Sequence, residues 1–315
     1  MKQLWIDCDP GHDDAMALLT TIAHFEQANI LGISTIGGNQ TLEKVTKNAQ
    51  NILSFVNSEI PLVKGKEGPL IKSLHTAPEA HGNTGMDGSF FKENHYPLVS
   101  ENFLQYIYQT ITSVEDKVII VGLGPLTNIA LLLEVFPDVK EKIEYISIMG
   151  GGISHGNVTP LAEFNIYVDP EAAQIIFQSG VSVVMAGLDV TENAEITVQE
   201  IQNLEGKGKA SHLAYELLNF YNQSGRQFGF LNSPIHDLCA VAYVLNPTIF
   251  EGEYHHVEVV TDSGTARGLT FIDKRKNSKV PENTFVLKEV NRNKFVGLLV
   301  HSLEKLDLYF EKNSL

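Results

Sequence analysis

"VIIVGLGPLTNIALLLEVF", residues 118–136, is the most apolar long stretch of the chain, and the fold class turns on its reading. Taken as one block it has the length of a membrane-crossing helix. Gly122, Gly124, Pro125, Asn128 and Glu134 break that block. The β-branched run before Gly122 fits a buried strand. The apolar residues after Pro125 recur at helical spacing. The stretch therefore predicts strand, turn and helix. The same alternation extends in both directions. "KQLWIDC" and "ILGISTIGG" are predicted strands, and "DDAMALLTTIAHF" and "TLEKVTKNAQNILSFV" are predicted helices. Downstream, "IEYISIMGGG" and "VSVVMAG" are predicted strands around the helix "DPEAAQIIFQSG". Continuously apolar strands alternating with helices indicate an α/β fold. Its predicted core is an open, mostly parallel, doubly wound sheet with helices on both faces.

Two segments depart from the alternation. Residues 65–97 are rich in Gly, His, Pro and Asn. "YHHVEVVTDSGTARGLTFIDK" predicts a small antiparallel addition near the C-terminus, turning at Asp262, Ser263 and Gly264. A last helix is predicted over "VNRNKFVGLLVHSLEKLDLYF". No repeat or linker interrupts residues 1–315, which are expected to form a single domain.

Bulk composition narrows the function classes. A net charge of −15 and a pI near 5.1 argue against nucleic acid and against an anionic membrane surface as partners. Cys8 and Cys239 are the only cysteines, expected as free thiols in a reducing compartment. The chain opens directly on a strand pattern, without an apolar leader. A soluble, cytoplasmic protein is expected.

The first predicted strand runs into "DCDPGHDDA", residues 7–15. Asp7, Asp9, Asp13 and Asp14 lie where a parallel sheet binds ligands, outside the carboxyl ends of its strands. A helix N-terminus stabilises one carboxylate by roughly 0.3–1 kcal/mol, too little to hold several together. A hard cation such as Ca²⁺ or Mg²⁺, which prefers oxygen ligands, is the natural counter-charge. Nothing in the motif suits zinc or a phosphate-binding loop. His12 reads as a solvated neighbour of the site.

Other predicted strand ends carry polar residues. Asn39 follows the second strand, where it also suits a helix cap. The Leu123 carbonyl stands at the end of the "VIIVG" strand, and Met149 at the end of "IEYISIM". Asn157, Glu163 and Asn165 share one loop and suit the hydroxyls of a sugar. His236 and Asp237 open the apolar helix of "NSPIHDLCAVAYVL", where a histidine suits acid–base work.

Taken in order, DCDPGHDDA, GGNQTLEKVTKNA, HGNTGMDG, VGLGPLTNIAL, SIMGGG, NVTPLAEFNIYVDPEAA, PIHD and RGLTFID resemble the inosine/uridine-preferring nucleoside hydrolases over nearly the whole chain. The resemblance implies Ca²⁺-dependent hydrolysis of the N-glycosidic bond of a small-molecule ribonucleoside, giving ribose and free base. It implies Asp9, Asp14, Asp237 and the Leu123 carbonyl as Ca²⁺ ligands. Asp9 is also the general base for the attacking water. Asp13, Asn157, Glu163 and Asn165 would hold the ribose hydroxyls, with Asn39 and Met149 nearby. Asp7 would support the loop from behind. His81 and His236 would lie near the base, with His236 protonating it as it leaves. A homo-oligomer, dimer or tetramer, is also implied.

The resemblance leaves the base open among uridine, cytidine and inosine. Purine-selective members sandwich the base between tryptophans, and this chain has only Trp5, in its first strand. Tyr221, Arg226, Gln227 and Phe228 are candidates for the base pocket. Two alternatives from other classes are a metal-dependent phosphohydrolase with an aspartate nucleophile and an inactive Ca²⁺/ribose-binding module.

Overall fold

The computed structural model describes residues 1–99, 102–275 and 280–312. Its centre is an eight-stranded sheet. In chain order the strands are β1 (Lys2–Cys8), β2 (Ala28–Thr35), β3 (Leu62–Lys64), β4 (Val118–Gly122), β5 (Ile143–Met149), β6 (Val183–Ala186), β7 (Glu195–Ile196), β8 (Ser233–Pro234), β9 (Phe250–His255), β10 (Val257–Val259), β11 (Thr270–Ile272) and β12 (Thr284–Val290). The large sheet has the order β3-β2-β1-β4-β5-β6-β12-β9, parallel throughout except at the β9 edge. Residues 118–136 divide as expected, into β4 and the helix Thr127–Val135. Among the described residues, no helix is long and apolar enough to cross a membrane.

Side-chain alternation along β1 divides two cores. Leu4, Ile6 and Cys8 enter the one built with the helices His12–Ala23 and His236–Leu245, and Trp5 enters the other. Trp5 is buried and donates from Nε1 to Ser34 Oγ at 2.9 Å, so its position is structural. Asp7 lies on Trp5's side of the strand. It accepts from Ser34 and, at 2.8 Å, from Asn128 Nδ2, a partner that the sequence pattern did not single out.

The antiparallel addition is present but divided. β9 joins the large sheet against β12, and only β10 and β11 form the separate ribbon. Their connection is wider than the expected three-residue turn. Gly268 N–H donates to the Val260 carbonyl, closing it from outside Asp262–Gly264. β3, β12 and the helix Lys209–Gly225 were not anticipated.

Strand order reverses beside β1. β2 and β3 lie on one side of it, and β4, β5 and β6 on the other. Crossovers leave the sheet in opposite directions there, which opens a crevice above the carboxyl ends of β1 and β4. Asp7 in β1 is in register with Gly122 in β4, and Leu123 N–H donates to the Asp7 carbonyl at 2.8 Å. The acidic loop and Leu123 are thus adjacent because of topology.

Candidate active site

A cavity of about 360 Å³ lies over this crevice. Asp13, Asn39, His81, Leu123 and Met149 line it. Asn157, Glu163, Asn165, His236 and Asp237 complete the set of expected residues on its wall. Asp7, Asp9 and Asp14 lie beneath that lining and are buried. Segments separated by more than two hundred residues meet at one mouth.

The acidic floor has unpartnered oxygens. Asp7 Oδ2, Asp9 Oδ1, Asp13 Oδ1 and Asp14 Oδ1 are buried without a hydrogen-bond partner among the described residues. One carboxylate oxygen each from Asp13, Asp14 and Asp237 fall within 4.8 Å of one another. Asp9 stands outside that trio but is tied to it through Asn39. The Asn39 backbone N–H donates to Asp9 Oδ2 at 2.7 Å, and Asn39 Nδ2 donates to Asp14 Oδ2 at 3.4 Å. Gly11 N–H adds a bond to Asp14 Oδ2 at 2.9 Å. Gly38 and Gly124 flank Asp9 so closely that a Cβ on either would strike its carboxylate. Glycine at both positions lets the backbone approach this side chain.

Burial first, and repulsion from neighbouring carboxylates after it, raise the pKa values of Asp9, Asp13 and Asp237. Asp13 is pushed up to about 7, and Asp9 and Asp237 well above the ordinary range. Among the described residues, no Lys or Arg lines the cavity to offset the charge. Buried carboxylates stay ionised only when paired or bound to a cation. An all-oxygen set with unpartnered lone pairs fits a hard metal ion. The same lack of Lys and Arg leaves nothing to hold a phosphate group, against the phosphohydrolase alternative.

The polar wall is fixed by local helix capping. Glu163 caps the short helix Phe164–Val168. It accepts from Asn165 N–H at 2.9 Å, Gly151 N–H at 2.8 Å and Ile166 N–H at 3.2 Å. Asn165 Nδ2 donates to the Leu123 carbonyl at 2.8 Å and the Met149 carbonyl at 3.1 Å, bridging the ends of β4 and β5. Both amide hydrogens are therefore used, leaving Asn165 Oδ1 as an acceptor. Asn157 is set the opposite way. Its Oδ1 accepts from Phe164 N–H at 2.9 Å, leaving its amino group as the donor.

His236 begins the helix His236–Leu245 directly after β8, which pairs with β7. Its Nδ1 lies 2.8 Å from Thr191 Oγ1, and burial lowers its pKa to about 4. The imidazole is therefore neutral at neutral pH, without the minor protonated fraction that an ordinary histidine, with a pKa of about 6.5, keeps there. Tyr221 and Phe228 line the cavity as expected, but Arg226 and Gln227 do not. Gln227 Nε2 instead donates to the Glu79 carbonyl at 2.6 Å. Glu192, Phe230, Asn232 and Ser233 line the cavity without having been singled out. Only their proximity to the PIHD motif or to β6 hinted at them.

The inosine-uridine preferring nucleoside hydrolase family model matches residues 4–297. A pyrimidine-specific ribonucleoside hydrolase RihA from Shewanella sp. (strain MR-7) is 41% identical over 306 residues, covering 96% of each chain. The protein of the same name from Escherichia coli O1:K1 / APEC is 40% identical over 303 residues, covering 95% of this chain and 97% of its own. Among solved structures, a plant nucleoside hydrolase, PpNRh1, aligns with a TM-score of 0.89 at 30% identity, covering 96% of this chain and 98% of its own. A purine-preferring ribonucleoside hydrolase from Gardnerella vaginalis aligns with a TM-score of 0.90 at 27% identity, covering 97% and 99%. The chain belongs to the inosine-uridine preferring nucleoside hydrolase family. It is an N-glycosidase that hydrolyses ribonucleosides to ribose and free base.

Proposed function

We propose that this enzyme hydrolyses pyrimidine ribonucleosides, uridine and cytidine, with inosine as a further substrate, and that it depends on Ca²⁺. The observation that carries the metal reading is the set of unpartnered, buried carboxylate oxygens beneath the cavity. The names of the relatives at 40–41% identity support the pyrimidine preference. Asp9, Asp14, Asp237 and the Leu123 carbonyl would hold the ion. Asp13 lies close enough to Asp14 and Asp237 to share that role or to take a ribose hydroxyl. Bound Ca²⁺ would supply oxygen coordination for water and vicinal hydroxyls, and would make that water more acidic.

The chain's own residues account for the remaining chemistry. Asp9, with one oxygen anchored by Asn39 and the other free, takes the proton from the attacking water. As the bond to the base breaks, the ribosyl group becomes positive near C1′. The acidic floor stabilises that charge more in the transition state than in the substrate. Asn165 Oδ1 and the Asn157 amino group hold ribose hydroxyls as acceptor and donor. Glu163 caps the helix that carries Asn165 and holds the ribose hydroxyls with it, Asn39 fixes Asp9 and Asp14 beside them, Met149 packs the sugar edge, and Asp7 supports the loop from behind. His81 and His236 face the base. Thr191 Oγ1 lies 2.8 Å from His236 Nδ1; in the tautomer in which Thr191 donates to Nδ1, His236 Nε2–H would serve the leaving group.

The one-domain reading of residues 1–315 is supported by β1 and β12 sharing one sheet. The net charge of −15 supports the absence of nucleic-acid or membrane partners. The resemblance alone supports a cytoplasmic homo-oligomer.

Rates with uridine, cytidine and inosine test the substrate assignment. The pyrimidine nucleosides should give the higher kcat/KM. A kcat/KM for inosine above that for both would overturn the preference. Asn165→Ala should raise KM for uridine and inosine alike by roughly 2- to 12-fold, since one neutral hydrogen bond is worth about 0.5–1.5 kcal/mol. A penalty confined to one base would place Asn165 at the base instead of the sugar.

A further inference from the structure

RGLTFID, residues 267–273, is one of the motifs that carry the family resemblance, yet among the described residues none of its side chains lines the cavity. It grips the ribose wall from behind at three points. Thr270, in β11, is buried. Its Oγ1 accepts from Gly152 N–H and donates to the Gly152 carbonyl, each at 2.9 Å. Leu269 makes an antiparallel bridge with Ala162, the residue before Glu163. Arg267 forms a two-pronged ion pair with Glu171, 2.7 Å on each side, in the helix Pro170–Gln178. That helix directly follows the short one carrying Asn165.

We propose that Thr270 is a positioning residue for the ribose: by fixing the peptide between Gly151 and Gly152 it aims the Gly151 N–H at Glu163, and so sets how that carboxylate meets a ribose hydroxyl. Gly150, Gly151 and Gly152 form a run whose backbone has no preferred direction of its own. Gly151 takes φ 79°, and a Cβ there would strike Met185 Cε and Thr270 Oγ1. The peptide that follows it is held at both ends. Leu188 N–H donates to its carbonyl at 2.9 Å, and its own N–H, that of Gly152, donates to Thr270. With that peptide fixed, Gly151 N–H donates to Glu163 Oε2 at 2.8 Å. The other backbone donors to Glu163, Asn165 and Ile166, lie in the helix that it caps. The Gly151 bond therefore ties this carboxylate to the end of β5, and Thr270 is the side chain that holds it there.

The proposal rests on the nucleoside hydrolase reading for the ribose, but not for the hold of Thr270 on Gly151. That hold is tested by amide hydrogen exchange, followed by NMR on the full chain without substrate. The Gly151 and Gly152 amides should be protected in the wild type. Thr270→Val, which keeps the shape and loses the hydroxyl, should speed exchange at both by roughly 2- to 12-fold, the worth of one neutral hydrogen bond. Thr270→Ser should recover most of the protection. Unprotected amides in the wild type overturn the proposal even if Thr270→Val does not fold, and so does unchanged exchange in a folded Thr270→Val.

The kinetic test asks whether the hold reaches the sugar. Thr270→Val should raise KM for uridine by roughly 2- to 12-fold, with a smaller change in kcat. Cytidine and inosine should show the same factor, because the contact is to ribose and not to the base. Thr270→Ser should recover most of the loss. The same comparison on 2′-, 3′- and 5′-deoxyuridine, read as KM or as Ki against uridine, locates the contact. The penalty should shrink for an analogue that lacks a hydroxyl held by Glu163, since that interaction is already gone. An unchanged KM for uridine, a penalty confined to one base, or an equal penalty on uridine and all three analogues overturns the ribose role. A wild-type protein that releases no base from any nucleoside refutes the nucleoside hydrolase reading, while the exchange pattern still decides whether Thr270 fixes Gly151.

Discussion

Asp9→Asn is expected to lower kcat for uridine by about 10²–10⁴-fold, the usual range for loss of a general base, with weakened metal binding adding to it. The site's geometry sharpens this expectation beyond the loss of charge. One Asp9 oxygen accepts from the Asn39 backbone N–H at 2.7 Å. In the variant, the amide oxygen keeps that bond and the amino group takes the place of the free oxygen. A donor then stands where an acceptor is needed, against the other carboxylates of the floor. Gly38 and Gly124 pack too closely on either side for the group to swing away. The fold should survive, because the replacement is nearly isosteric and removes repulsion. The check is kcat together with bound Ca²⁺ and Tm. Near-normal turnover with Ca²⁺ retained would remove Asp9 from the role of base.

His236→Ala should divide substrates by the quality of their leaving group. Natural bases depart as poor anions and need a donor where the charge develops. Removing one such donor costs about 10²–10³-fold in kcat, and that loss is expected for uridine, cytidine and inosine. p-Nitrophenyl riboside releases a stabilised anion and should be largely spared. Burial keeps His236 neutral at neutral pH, with a pKa near 4. The ring is therefore not a standing imidazolium, and the proposed role needs the Nε2–H tautomer, with Thr191 donating to Nδ1. Ca²⁺ affinity should change little, because Asp237, not His236, is the proposed ligand. Equal losses on both substrate types with Ca²⁺ retained would mean that His236 only positions the substrate.

The strands and helices nearest the site were legible in the sequence because their signals are local. β1 is a continuous apolar run closed by an acidic turn, and Pro170 follows its cap Asp169, which accepts from Ala172 N–H at 3.0 Å. β3 and β12 escaped notice. β3 has only three residues, and β12 carries charged residues towards its end. Neither announces its partner, which is set by crossover topology. Most of the expected site residues meet at one cavity or on its floor because they stand near a strand end or a helix start; His81, at the end of the helix Pro78–His81, and Asn157, in a loop, are the exceptions. What no local pattern contains is burial and pairing. The low pKa of His236 follows from its surroundings, and so does the bond from Asn128 to Asp7. The same holds for His12, which reads as a solvated neighbour but lies buried among aromatic rings.

The central claim is that the acidic floor works by holding Ca²⁺ for nucleoside hydrolysis. Its most direct test is to strip the purified chain with a chelator, remove the chelator, and follow release of uracil and ribose from uridine as Ca²⁺ is added back. The account predicts negligible release from the stripped enzyme and recovery that saturates at one Ca²⁺ bound per chain. Full release by the stripped enzyme, with Ca²⁺ shown to be absent, would contradict it.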